Sequence, residues 1–186
     1  MKIYLVRHAQ KDKTLIRNSR KRVGITNLGI VQAKAFGRYA RSLKIHKIYT
    51  SPYKRTFKTA KVIGHELGMK PIKYESIREI SIPTYFIELI KSILPLQKKR
   101  ERHDIIKTLF KISKGKQDVI AVTHAGYIRL LMSLLARNKI QKLKYFLSPY
   151  HNLGLTVLNV KNREIEIEEF NNTKFLPKNI RTVWPL

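Results

Sequence analysis

Residues 2–10 read KIYLVRHAQ, and this stretch decides how the rest of the chain is read. Ile3, Tyr4, Leu5 and Val6 are apolar or β-rich types, so residues 2–7 predict a buried strand. An arginine and a histidine follow it directly. Arg7 at the end of a buried strand needs a partner, because a buried charge without one is costly. The apolar run is too short and too soon interrupted to read as a signal peptide.

Outward from this strand, the same arrangement recurs. Residues 9–25 are polar and basic, with scattered apolar residues, and read as a loop. Thr26 caps a helix expected over 27–43, with Leu28, Val31, Ala35 and Tyr39 at helical spacing. A short strand, KIYT at 47–50, ends in Ser51-Pro52, which predicts a helix with Ser51 at N-cap and Pro52 in its first position. Arg55 lies one turn into that helix, which runs to about Leu67 with Gly68 as its C-cap. A short strand near 72–74 leads to YESIREISIP. Helices are expected over 84–94 and 100–113, separated by Pro95 and QKKRER, with 81–115 forming a small helical cap over the site. DVIAV at 118–122 is a strand buried on both faces, followed by Thr123-His124-Ala125 and a helix from Gly126. Strands near 154–160 and 164–170 make a hairpin through Asn162, and residues 171–186 show no strong period. Alternating strands and helices predict one α/β domain over 1–186 with a mostly parallel sheet.

In such a sheet, ligands sit outside the carboxyl ends of the strands. Parallel pairing would therefore bring Arg7, His8, Arg55 and His124 to one edge, beside helix N-termini that favour anions. Arginine's planar fork suits phosphate oxygens. A neutral, aimed histidine can take a phosphoryl group covalently, and cationic surroundings stabilise the charge that develops. The chemistry needs no metal, and no full metal-ligand set stands out. A leaving alkoxide needs a proton, and Glu79 is the first choice for that acid, with Glu75 second.

The composition narrows the setting. Lys and Arg outnumber Asp and Glu by 39 to 12, a net charge of +27, so anionic partners are favoured: phosphorylated metabolites, phosphoprotein, nucleic acid or acidic membrane surfaces. Tyr and Phe are not interleaved with the basic runs in a recognised nucleic-acid pattern. There are no cysteines, which excludes disulfides, zinc–thiolate sites and thiol catalysis. No apolar run approaches the length of a membrane span, and a cytoplasmic setting is expected by default.

Six blocks, in order, resemble the histidine phosphatase superfamily, the phosphoglycerate-mutase-like fold. They are LVRHAQ (5–10), TNLGIVQA (26–33), TSPYKRTFKTA (50–60), IREI (77–80), VTHAG (122–126) and HNLGLTVL (151–158). The resemblance implies a three-layer α/β/α sandwich. It also implies His8 as phosphate acceptor, Arg7, Arg55 and His124 as the rest of the phosphate pocket, Glu79 as proton donor and no cofactor. Ala9 and Ala125 stand where glycine is commoner, and Gln10 replaces a frequent glutamate. DKTLIRNSRKRVG lacks the Trp-Asn and Gln-Gly pattern of the mutases, and SIPTYF replaces their Gly-x-Trp-x-Gly. These departures and the short cap favour a phosphatase over a mutase. The alternatives are a phosphoglycerate-type mutase, or a basic protein on the same fold that binds nucleic acid or a phosphorylated ligand.

Overall fold

The computed structural model describes residues 1–12, 22–80 and 99–184. Its centre is a six-stranded sheet in the order β3-β2-β4-β1-β6-β7. The strands are β1 (Lys2–Arg7), β2 (Lys47–Thr50), β3 (Ile72–Lys73), β4 (Val119–Thr123), β6 (Leu155–Lys161) and β7 (Glu164–Asn172), and β5 (Tyr150–His151) pairs with β8 (Val183–Trp184) outside the sheet. β3, β2, β4 and β1 are parallel, β6 is antiparallel to β1, and β7 is antiparallel to β6. The mostly parallel α/β sheet is therefore present as expected.

Strand alternation divides the core between the two faces of the sheet. Ile3 and Leu5 of β1 and Val119 and Ala121 of β4 enter one cluster. Tyr4, Val6, Ile120 and Val122 enter the other. The second face is covered by α1 (Asn27–Ala40) and α2 (Lys54–Leu67), through Ala33, Phe36, Ala60 and Ile63. The first is covered by α3 (Lys99–Ser113) and α4 (Ala125–Leu135), through Ile105, Leu109, Ile128 and Leu131, with Tyr145 of α5 (Lys139–Leu147) added. The result is a three-layer sandwich whose central strands are buried on both sides. Among the described residues, no helix is long and apolar enough to cross a membrane.

Several local details match the sequence and others correct it. Thr26 caps α1 by accepting from the Gly29 amide, and Gly68 closes α2 at φ 68°. Ser51 and Pro52 do not open α2. Ser51 still pairs as a strand residue, its amide donating to Val122 O, so the helix starts two residues beyond Pro52, after Tyr53, with no side-chain cap. α4 begins at Ala125, one residue earlier than expected, and α1 ends at Ala40 rather than 43. The helix expected over 84–94 and residues 13–21 of the loop expected over 9–25 lie outside the described residues, whereas residues 99–102 of the basic connector are the start of α3 rather than a break before it. The helix expected over 100–113 in the cap is α3, whose Ile105, Leu109 and Ile112 are core residues of the body.

The topology also makes a crevice. β1 and β4 are adjacent and parallel, with Arg7 opposite Thr123. The chain leaves β1 toward α1 on one face and leaves β4 toward α4 on the other. A gap at the carboxyl ends of these strands follows from that divergence.

The β6–β7 hairpin turns through Asn162 at φ 50° and Arg163 at φ 64°. Two consecutive left-handed residues fit a hairpin's twist, and the second would be met more cheaply by glycine. Replacing Arg163 with Gly should raise stability by about 0.5–1 kcal/mol. Urea unfolding, at unchanged m-value, checks this.

Candidate active site

Parallel pairing delivers His8 to the crevice. Its amide donates to Thr123 O at 2.9 Å, extending the β1–β4 register by one residue. Its carbonyl accepts from Asn152 Nδ2 at 3.0 Å, and the next amide, of Ala9, donates to Thr59 Oγ1 at 3.1 Å. Thr59 in turn donates to the Arg55 carbonyl at 2.7 Å, so the backbone holding His8 is tied to the helix holding Arg55.

The His8 ring is 3% exposed, and Nδ1 lies 2.8 Å from the Ala9 carbonyl. A carbonyl only accepts, so Nδ1 carries the proton and Nε2 carries the lone pair. Burial holds the His8 pKa well below the usual histidine range, and Arg7, Arg55 and His124 push it further down. The ring therefore stays neutral through neutral and mildly acidic pH.

Around it stand two buried guanidiniums. Arg7 donates through Nη1 to the Tyr150 carbonyl, and its buried Nε has no hydrogen-bond partner among the described residues. Burial lowers the Arg7 pKa to about 10, against a rise from Glu79. Arg55 Nη2 donates to Glu79 Oε2 at 2.9 Å and lies 2.9 Å from His124 Nδ1. His124 Nδ1 is also 3.0 Å from Glu79 Oε2, and its Nε2 is 2.8 Å from Ser51 Oγ. Burial lowers the His124 pKa despite the carboxylate beside it, leaving a neutral ring. The half-buried Tyr53 closes one side, with its ring 5.1 Å from that of His124 and 5.1 Å beneath the Arg55 guanidinium.

All four expected phosphate-pocket residues thus meet at one strand edge, and Glu79 joins them. Burial alone would raise the Glu79 pKa. Hydrogen bonds from His124 and Arg55, with the charge of the Arg55 guanidinium, outweigh it, so the carboxyl is held below its ordinary range. Glu75 is exposed on a short turn and makes none of these contacts. His8, Glu79 and His124 also form a set that could hold a metal ion, with ligand atoms within 4.8 Å of one another. The Arg55 guanidinium already bridges Glu79 and His124, which is where such a cation would sit, so the donor set fits a metal poorly.

Sequence reading missed Ser51, Tyr53, Thr59 and Asn152 as members of the site. All four lie in blocks that were singled out, but only contact geometry separates them from their neighbours. Gln32 and Thr182 were missed too. Gln32 Oε1 accepts from the Gln10 amide, and its Nε2 donates to Ile180 O and Thr182 Oγ1. Thr182 Oγ1 donates to Asn152 Oδ1, which ties the C-terminal strand to the residue holding the His8 carbonyl.

The chain is similar to known proteins over most of its length. The model of the histidine phosphatase superfamily (branch 1) matches residues 3–87 and 96–173. A curated relative from Hydrogenobacter thermophilus, named as a candidate phosphoserine phosphatase, is 26% identical, over 91% of this chain and 95% of its own length. Among solved structures, a histidine-to-alanine mutant of phosphoserine phosphatase from Entamoeba histolytica, in complex with phosphoserine, superposes with a TM-score of 0.71. It is 20% identical and the match covers 95% of this chain and 99% of that one. A SixA-type protein from Agrobacterium tumefaciens, described as a phosphohistidine phosphatase candidate, gives a TM-score of 0.63 at 16% identity, covering 92% and 97%.

Gly126 offers a test of the arrangement. A Cβ there would lie 2.5 Å from Ile80 O and 2.8 Å from Glu79 Oε1. Gly126→Ala must displace the segment carrying Glu79. Steady-state kinetics should show turnover of a phosphate ester reduced about 10- to 100-fold, with the far-ultraviolet dichroism of the wild type.

Proposed function

We propose, for a chain that belongs to the histidine phosphatase superfamily, that it is a metal-independent phosphatase working through a phosphohistidine on His8. One observation carries the reading. The His8 Nδ1–H is fixed on the Ala9 carbonyl, which leaves the Nε2 lone pair inside a pocket of two buried guanidiniums.

The steps follow from charge and proton balance. The phosphoryl oxygens of a monoester take up Arg7, Arg55 and His124. His8 Nε2 attacks phosphorus, the P–O bond to the leaving group breaks, and Glu79 gives that oxygen a proton. A water then attacks the phosphohistidine and passes a proton to Glu79, which restores the neutral ring and releases inorganic phosphate. The arginines neutralise charge on the equatorial oxygens, the part a metal plays elsewhere.

The depressed Glu79 pKa fits this cycle. Before substrate binds, Glu79 is the anion paired with Arg55. A bound phosphoryl group takes over Arg55 and adds negative charge, which raises the Glu79 pKa. The proton enters with the substrate, whose second ionisation lies near pH 6. Accordingly kcat/KM should fall as pH rises above about 6. Its acid limb should lie below the ordinary histidine pKa, because His8 resists protonation.

The substrate class is a small phosphorylated metabolite or a phosphorylated protein side chain. Phosphoserine is the first compound to screen, given the relatives' names. The same reading places the enzyme in the cytoplasm, where such metabolites are held.

The test uses p-nitrophenyl phosphate and an alkyl phosphate in the presence of EDTA. Wild-type activity should survive EDTA and vanish in His8→Ala. Glu79→Gln should lose about 10²-fold or more on the alkyl ester. It should lose much less on the aryl ester, whose leaving group needs no proton, and Glu75→Gln should lose nothing. Equal activity of His8→Ala and wild type would refute the reading.

A further inference from the structure

α5 is turned the wrong way for a helix on a water-facing surface. Its inner side is fixed: Tyr145 is 7% exposed, its ring lies 4.8 Å from Phe170, and its carbonyl accepts from Tyr150 Oη at 3.0 Å. Its start is fixed too, since the Asn138 side chain accepts from the Gln141 amide and Gln141 Oε1 accepts from the Arg137 amide. The opposite side carries Ile140, Leu143 and Leu147, which are 82%, 50% and 56% exposed. At 100° per residue these three fall within about 60° of one another, so they form one apolar stripe. Among the described residues, the other large exposed apolar side chains, Val31, Ile72 and Val183, stand singly on separate elements. Scattered residues need no explanation, but a contiguous stripe does.

The stripe is flanked by charge of one sign. Lys139 and Lys144, both exposed, lie on its two sides. No acidic residue occurs between Asp118 and Glu164, and the chain as a whole carries +27. An aliphatic stripe bordered by lysines is the pattern of a helix that lies in a membrane interface. A second copy of the chain is a poor occupant, because the same lysines would oppose one another across the contact.

We propose that the outer face of α5 docks on an anionic lipid surface. Ile140, Leu143 and Leu147 enter the acyl boundary while Lys139 and Lys144 meet lipid phosphates. The interaction holds the enzyme at a bilayer through this one face. It is independent of the catalytic reading, because none of these five side chains takes part in the site.

The experiment is flotation of the full chain with vesicles of phosphatidylcholine alone or with phosphatidylglycerol. The protein should float with the anionic vesicles and lose binding as salt is raised. The triple variant Ile140→Ser, Leu143→Ser, Leu147→Ser should bind on the order of a hundredfold more weakly. Replacing Lys139 and Lys144 with Gln should weaken binding about fivefold per lysine. Unchanged thermal unfolding would show that both variants are folded. Failure to float with anionic vesicles would overturn the proposal. So would a triple variant that floats as well as wild type, or binding that ignores lipid charge. A concentration-dependent dimer that the triple variant abolishes, without flotation, would give the face to a second copy and overturn it equally.

Discussion

Two guanidiniums, Arg7 and Arg55, are buried at one strand edge with a single carboxylate between them. Arg55 reaches Glu79 directly, whereas Arg7 has a backbone carbonyl and an Nε with no partner among the described residues. Burying a cation is expensive unless an anion compensates it. The pocket therefore holds a net positive charge that a bound phosphoryl group would balance. Both histidines respond to the same imbalance, since the arginines add to burial in keeping each ring neutral. That imbalance suits the site to an anion and keeps His8 unprotonated.

The rest of the fold holds these charges in place against their mutual repulsion. β1 and β4 set Arg7 and His8 beside Thr123 and His124 through backbone pairing, which depends on no side chain at all. The Thr59 link joins α2 to the His8 backbone. The chain from Gln32 through Thr182 to Asn152 fixes the His8 carbonyl from the opposite side. Gln32, Thr59 and Asn152 are polar, buried and hydrogen-bonded, which makes them stiff. An aimed histidine needs that stiffness, because a small displacement of a reacting group is costly in rate.

Much of this was legible in the sequence, for identifiable reasons. Strands buried on both faces announce themselves as short apolar runs, and KIYLVR and DVIAV are such runs. The site residues follow those runs directly, so strand order alone brings His8 and His124 together. Arg55 was legible only through its block, because nothing in its local pattern distinguishes it from Lys54 and Lys58. Ser51 misled: Ser-Pro is a helix-start signal, but here the serine keeps its strand bond and turns its hydroxyl to His124. α5 was passed over although Ile140, Leu143 and Leu147 keep helical spacing, and its period alone does not tell a stripe that faces solvent from one that faces the core. The β5–β8 pair and the Gln32–Thr182 contact join residues far apart in sequence, and no local pattern records them.

The account stands on His8 Nε2 as the atom that receives the phosphoryl group. The direct measurement is to quench a reacting mixture into alkaline denaturant, where phosphohistidine survives, and map the modification by peptide mass spectrometry. One phosphoryl group on the peptide carrying His8, absent when the quench is acidic, is the expected result. A phosphoryl group on any other residue during turnover, or hydrolysis with no phosphorylated protein at any quench time, would contradict it.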